Sequence, residues 1–266
     1  VAARRGSPLV LGVGDGVGLC ASDVNAMLHV TRRYVPLEDG EVALVTASGV
    51  RVWRADGGSL APVRREPREV EWTASMADKM GYEHFMLKEI YEQPRVLERA
   101  FRQSEMYSHR VLDVLEDALS SGARVVFTAA GTSYHASLVG RYMLGRLAGL
   151  RADCVIASEF SEWALPTLEE GDVVFAVSQS GETADVLLAV RDAKRTGALV
   201  VSLVNVPGST LTRESDHVLY MGAGPEIGVA ATKTYAAQLM ILSHLAASLA
   251  LSTGRAVRES RELLRW

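Results

Sequence analysis

From Gly122 onward the sequence alternates short apolar, β-branched runs with longer helical segments, and nothing else in it narrows the fold as much. The runs are Val125–Ala129, Cys154–Ala157, Val173–Val177, Val200–Val204 and Val218–Met221. They are apolar on both strand faces, the pattern of a sheet covered on each side. Strands separated by helices are the signature of βαβ units around a parallel sheet. An α/β domain with a parallel, flavodoxin-like sheet is therefore expected over 81–266. Leading helices are expected at Glu83–Gln93, ending at Pro94, then at Val96–Gln103 and Tyr107–Leu119.

The preceding residues have another period. Leu9–Val13, Val42–Thr46 and Val50–Arg54 are short β-type runs, separated by Gly-rich segments and by Asp56-Gly57-Gly58. They predict an antiparallel β fragment over 1–63, too small to be a complete domain. Residues 64–80, beginning Arg64-Arg65-Glu66-Pro67-Arg68-Glu69, have few large apolar side chains and read as a linker of solvated charges. The chain opens on Val1 and closes on Trp266 after a charged, helix-friendly run, so both ends are expected to be cut.

Composition excludes several classes. Of 266 residues, 48% are hydrophobic and 23% charged, which fits a globular chain with a real core. A net charge of −4 argues against a nucleic-acid surface, which needs clustered Lys and Arg. Cys20 and Cys154 lie far apart without CxxC spacing, so neither a disulfide framework nor a zinc site is indicated, and a reducing cytosol is the natural compartment. The six histidines show no metal-binding spacing. Tyr235–Leu251 is apolar but interrupted by Gln238, Ser243, His244 and Ser248, and is expected as a buried core helix rather than a membrane span. Gly12–Gly18 lacks the third glycine and the helix of a dinucleotide loop and is expected as a turn in the β region.

Chemistry concentrates at two strand-to-helix junctions. Ser178-Gln179-Ser180-Gly181-Glu182-Thr183 follows one apolar strand and opens a helix at Ala184. A phosphate needs donors converging from several directions. A helix N-terminus offers free N–H groups, Ser178, Ser180 and Thr183 add hydroxyls, Gln179 adds an amide, and Gly181 lets the backbone come close. Simple N-capping by Ser180 is the alternative, although three hydroxyls and an amide exceed what a cap needs. Gly131-Thr132-Ser133 repeats the arrangement after the first strand; taken alone it reads as an ordinary helix start, and only the second loop in the same sheet position makes it a candidate site. In a flavodoxin-like sheet the first and third strands are neighbours, so the two loops would face one pocket. Glu182 is expected to stabilise a first helical turn rather than transfer a proton, and Glu89, with His84, to lie on a helix surface rather than form an acid–base pair.

These loops, with Asn205-Val206-Pro207-Gly208-Ser209 and Glu226-Ile227-Gly228-Val229-Ala230, resemble the first sugar isomerase (SIS) domain of the glutamine:fructose-6-phosphate amidotransferases. Lys88-Glu89-Ile90-Tyr91-Glu92-Gln93-Pro94 resembles the helix that opens that region. Ala21-Ser22-Asp23 and Val30-Thr31-Arg32-Arg33 resemble the close of the family's N-terminal-nucleophile glutaminase domain. The resemblance implies synthesis of glucosamine 6-phosphate and glutamate from fructose 6-phosphate and glutamine, in the cytoplasm, by a homodimer without a cofactor. It places Thr132, Ser133, Ser178, Gln179, Ser180 and Thr183 on the phosphate and Val229 near the sugar. The family's catalytic groups match no residue of this chain, which would supply binding. Neither nucleic acid nor membrane is an expected partner. A sugar-phosphate-sensing SIS module, or a deglycase or sugar-phosphate isomerase, is the alternative.

Overall fold

In the computed structural model, which describes residues 1–265, the N-terminal region is richer in strands than its hydrophobic runs suggest. Strands β1 (Ala2–Ala3), β2 (Val10–Gly14), β3 (Val17–Ala21), β4 (Arg33–Pro36), β5 (Glu41–Thr46), β6 (Gly49–Asp56), β7 (Ser59–Val63) and β8 (Arg68–Glu69) build two antiparallel sheets, ordered β1-β5-β6-β7 and β3-β2-β4-β8. The Gly12–Gly18 stretch is the β2–β3 hairpin, with Gly14 opposite Val17 and a turn on Asp15-Gly16. Gly16, at φ +70°, takes the left-handed conformation at the second position of this turn, which glycine adopts without steric cost. Leu11, Val35, Leu37, Ala43 and Val52 form the core of this region.

Residues 64–80 are not a free linker. β8 pairs with β4, and Val70, Trp72 and Ala77 are buried. Arg65 is not solvated either: its Nη2 lies 2.5 Å from Oε1 of the wholly buried Glu41 and 2.7 Å from Glu38. A carboxylate removed from water needs a cation beside it, and that demand draws Arg65 in while Arg64 stays exposed. Contacts divide the chain into one unit from Val1 to Phe85 and a second from Met86 onward.

The second unit opens with α1 (Phe85–Tyr107), all but its first residue, and α2 (His109–Ser121), the latter ended by Gly122 in the left-handed conformation. It continues through β9 (Val125–Ala129), α3 (Gly131–Met143), β10 (Ala152–Ile156), α4 (Phe160–Trp163), β11 (Val173–Ser178), α5 (Ala184–Arg195), β12 (Leu199–Val204), α6 (Thr210–Glu214), β13 (His217–Tyr220), α7 (Lys233–Ser252) and α8 (Val257–Leu263). The five strands are parallel and ordered β10-β9-β11-β12-β13, the flavodoxin-like order expected from the sequence. Alternate residues serve opposite faces. Val125, Phe127, Val173, Phe175 and Leu203 pack with α1, α2, α3 and α7, whereas Val126, Val174, Ala176 and Val200 face α4, α5 and α6.

Two helices differ from local expectation in instructive ways. α1 runs straight through Pro94, where a break was expected. An interior proline costs about 3 kcal/mol; the continuous face of Lys88, Glu89, Val96, Ala100 and Ser104, buried on both sides of Pro94, offsets it. α7 is long and apolar enough in composition to cross a membrane. In this fold it is the buried core helix that its polar interruptions predict, with Ile241, Leu242, Leu245 and Leu249 in one cluster with Phe127 and Phe175. His244, one of those interruptions, meets Ser104 Oγ at 2.8 Å through Nδ1 and lies edge-on to Phe101; burial pushes its imidazole below the usual range. Burial likewise pushes the Cys154 thiol up to about 12, which keeps it from acting as a nucleophile at neutral pH.

Candidate functional site

Ala129 at the end of β9 is paired with Val177 at the end of β11, so the two loops that follow start side by side at the carboxyl edge of the sheet. This is the switch point of a doubly wound sheet, where ligands bind. The structure thus brings together the loop 130–133 and the loop 178–183.

Within the second loop the hydroxyls are organised by backbone. Gly181 N donates to Ser178 Oγ at 3.0 Å and Glu182 N to Ser180 Oγ at 3.1 Å, while Ser178 Oγ and Thr183 Oγ1 lie 3.1 Å apart. At the first loop, Gln238 Nε2 from α7 donates to Ser133 Oγ at 2.9 Å. A hydroxyl whose oxygen already accepts an N–H still has its own proton to give. Ser133 and Ser180 are set up in this way as donors, and of the mutually bonded Ser178 and Thr183 one hydroxyl gives its proton to the other, leaving one proton to give outward, which suits an anion. Thr183, not Ser180, occupies the N-cap position of α5 and makes no side-chain capping bond there, and Ser180 Oγ takes Glu182 N instead, so simple capping of α5 by Ser180 does not describe this loop. Gln179 and Ser180 are half-buried, Thr132 is exposed on the first turn of α3, and Ser133 and Ser178 are buried. The first-turn N–H groups of α3 and α5 are free of intrahelical partners, as in every helix.

Glu182 departs from expectation in which helix it serves: its carboxylate accepts from Thr210 N at 2.7 Å and from Thr210 Oγ1 at 2.8 Å, and so ties this loop to the first turn of α6. Glu89 differs too. It is 2% exposed, not on a helix surface, and accepts the N–H groups of Ile227 and Gly228, while His84 is exposed beside Glu83. Val229 stands fully exposed at the tip of the loop between β13 and α7. Asn205 anchors the start of that loop, giving Nδ2 to Gly224 O at 2.7 Å and taking Ala223 N at 3.0 Å. Two site-forming residues, Gln238 and Asn205, have their roles only through contacts distant in sequence. Gln238 carried a signal nonetheless, as a buried amide breaking the most apolar stretch of the chain. Among the described residues, no group of three or more His, Cys, Asp or Glu is placed to hold a metal ion.

The model of the SIS domain matches residues 118–248, from the last turn of α2 to near the end of α7. Residues 118–248 are a SIS domain. Around that domain, the chain is 45% identical over 267 aligned residues to a glutamine–fructose-6-phosphate aminotransferase (isomerizing) of Thermotoga maritima, covering 99% of this chain and 43% of the relative. It is 47% identical to the Aeropyrum pernix protein of the same name, covering 98% and 43%. The chain therefore spans about two-fifths of the length of these curated relatives. Among solved structures, the C-terminal domain of glucosamine-fructose-6-phosphate aminotransferase from Francisella tularensis superposes with a TM-score of 0.63 at 32% identity, over 70% of this chain and 55% of that one. The SIS domain holds both hydroxyl loops and Gln238; α1, with Glu89, lies outside it.

Proposed function

We propose that this chain supplies the fructose 6-phosphate site of a glutamine–fructose-6-phosphate aminotransferase (isomerizing), which makes glucosamine 6-phosphate and glutamate from fructose 6-phosphate and glutamine. The observation that carries the reading is the set of serine hydroxyls poised as donors where β9 and β11 end together. Thr132, Ser133, Ser178, Gln179, Ser180 and Thr183 hold the phosphate. They do so with neutral donors and two helix N-termini, without a cationic side chain. Val229 presents its backbone to the sugar. The strength of the match to aminotransferases, over nearly all of this chain, supports this substrate over the sensing or sugar-phosphate isomerase alternatives.

In this reading the first unit corresponds to the closing part of a glutaminase domain. The groups that open and isomerise the sugar lie in the portion of the relatives that this chain does not span. The 266 residues alone then bind the sugar phosphate without turning it over, and the working enzyme is a cytoplasmic homodimer that needs no cofactor.

Ser180→Ala tests the site. A hydroxyl bonded to a charged phosphate contributes about 1.5–3 kcal/mol, so affinity for fructose 6-phosphate is expected to fall roughly 10-fold or more. Calorimetric titration reads this directly, with circular dichroism verifying the fold. Unchanged affinity in a folded variant removes the loop from the site.

A further inference from the structure

The loop that carries Val229 is held from behind by α1, an element outside the SIS domain. Glu89 Oε1 accepts Ile227 N at 2.7 Å, and its two oxygens take Gly228 N at 3.1 and 3.2 Å. Three residues further along α1, Glu92 meets Lys88 Nζ at 3.4 Å and Lys233 Nζ at 2.6 Å, and both lysines are 2% exposed. Lys233 is the first residue of α7. Glu226 closes the loop from its own side by accepting Thr232 N at 3.0 Å, Thr234 N at 3.3 Å and the Thr234 hydroxyl. Gly228 has no spare room: a Cβ there would stand 2.5 Å from Glu89 Oε2 and 3.4 Å from the Met86 backbone.

A carboxylate that binds two successive N–H groups of one loop fixes both the height and the rotation of that loop. The next residue, Val229, is fully exposed, so what Glu89 fixes is the backbone that faces outward. We propose that Glu89 is a positioning residue for sugar recognition, setting the Val229 backbone so that the site prefers a sugar phosphate to bare phosphate. The phosphate donors on the loop 178–183 take no part in this arrangement. The proposal rests on the sugar-phosphate reading above.

The test is Glu89→Gln, which puts an amide N–H against a loop N–H, with Gly228→Ala as a second variant that displaces the same contact from the loop side. The whole chain is titrated with fructose 6-phosphate and, separately, with inorganic phosphate followed by phosphorus NMR. The expected result is an affinity for fructose 6-phosphate about 10-fold or more weaker, with inorganic phosphate within about twofold of wild type. Equal weakening of both ligands, or no weakening of either in a folded variant, overturns the proposal. Should Glu89→Gln fail to fold, Gly228→Ala decides by the same ratio. A wild-type chain that binds inorganic phosphate but not fructose 6-phosphate instead overturns the underlying sugar-phosphate reading.

Discussion

Gly181→Ala is expected to abolish measurable sugar-phosphate binding and to destabilise the second unit by roughly 2–5 kcal/mol. Gly181 has φ +65°, where a side chain is strained whatever the space. Here there is no space: the added Cβ would stand 2.1 Å from Ser209 Oγ, 2.7 Å from Ser209 Cβ and 2.9 Å from Val204 Cγ1. Each obstacle belongs to a buried residue next to β12 or α6, so none is the free end of a flexible side chain. The loop must move instead. In moving, it breaks the Gly181 N–H bond to Ser178 Oγ and the bond from Leu211 N to Gly181 O, 3.0 Å each, and misaligns every donor between Ser178 and Thr183. Gly171→Ala is the matched control, because Gly171 has φ +89° with nothing within 4 Å of the new Cβ. It reports the backbone strain alone, about 1–2 kcal/mol, with ligand affinity kept. Thermal denaturation and titration of both variants measure the contrast; a Gly181→Ala chain that binds within about threefold of wild type contradicts the proposed loop geometry.

Phe175→Ala is expected to cost about 3–5 kcal/mol, a large share of the roughly 5–15 kcal/mol that holds a typical domain together. Phe127 and Phe175 are wholly buried and stacked, with ring centroids 4.8 Å apart and 28° between planes. They are register partners on β9 and β11, the two strands whose ends carry the phosphate loops. Truncating one ring leaves a cavity beneath the junction on which the site depends. Equilibrium urea unfolding should show a lower midpoint at unchanged slope. A cost under about 1 kcal/mol would mean that this pair is not the centre of the core.

The part of the account that was legible in the sequence is the part encoded by neighbours in the chain. Runs such as Val125–Ala129 and Val173–Val177 are strands in the structure at nearly the expected bounds, since apolarity on both faces is a local property with one good solution. The serine-rich turn after Val177 could be read for the same reason, because strand, hydroxyls and helix follow one another within a few residues. Features decided by distant partners were not legible. Glu89 reads as a surface carboxylate until Ile227, 138 positions away, is brought against it. Arg65 reads as solvated until Glu41 is buried beside it. Pro94 reads as a helix end because the loss of one hydrogen bond is local, whereas the buried face that outweighs it is tertiary. Strands β1, β3, β4, β7 and β8 have no counterpart among the expected runs, because shortness or Gly, Pro, Arg and Glu positions give them no clear alternation, and pairing with a neighbour is what makes them strands.

The central claim, that the hydroxyl loops at the ends of β9 and β11 form a sugar-phosphate site, is tested most directly by calorimetric titration of the chain with fructose 6-phosphate, using fructose as the control. The account predicts saturable binding of the phosphorylated sugar and none of fructose. Equal binding of both, or of neither, would contradict it.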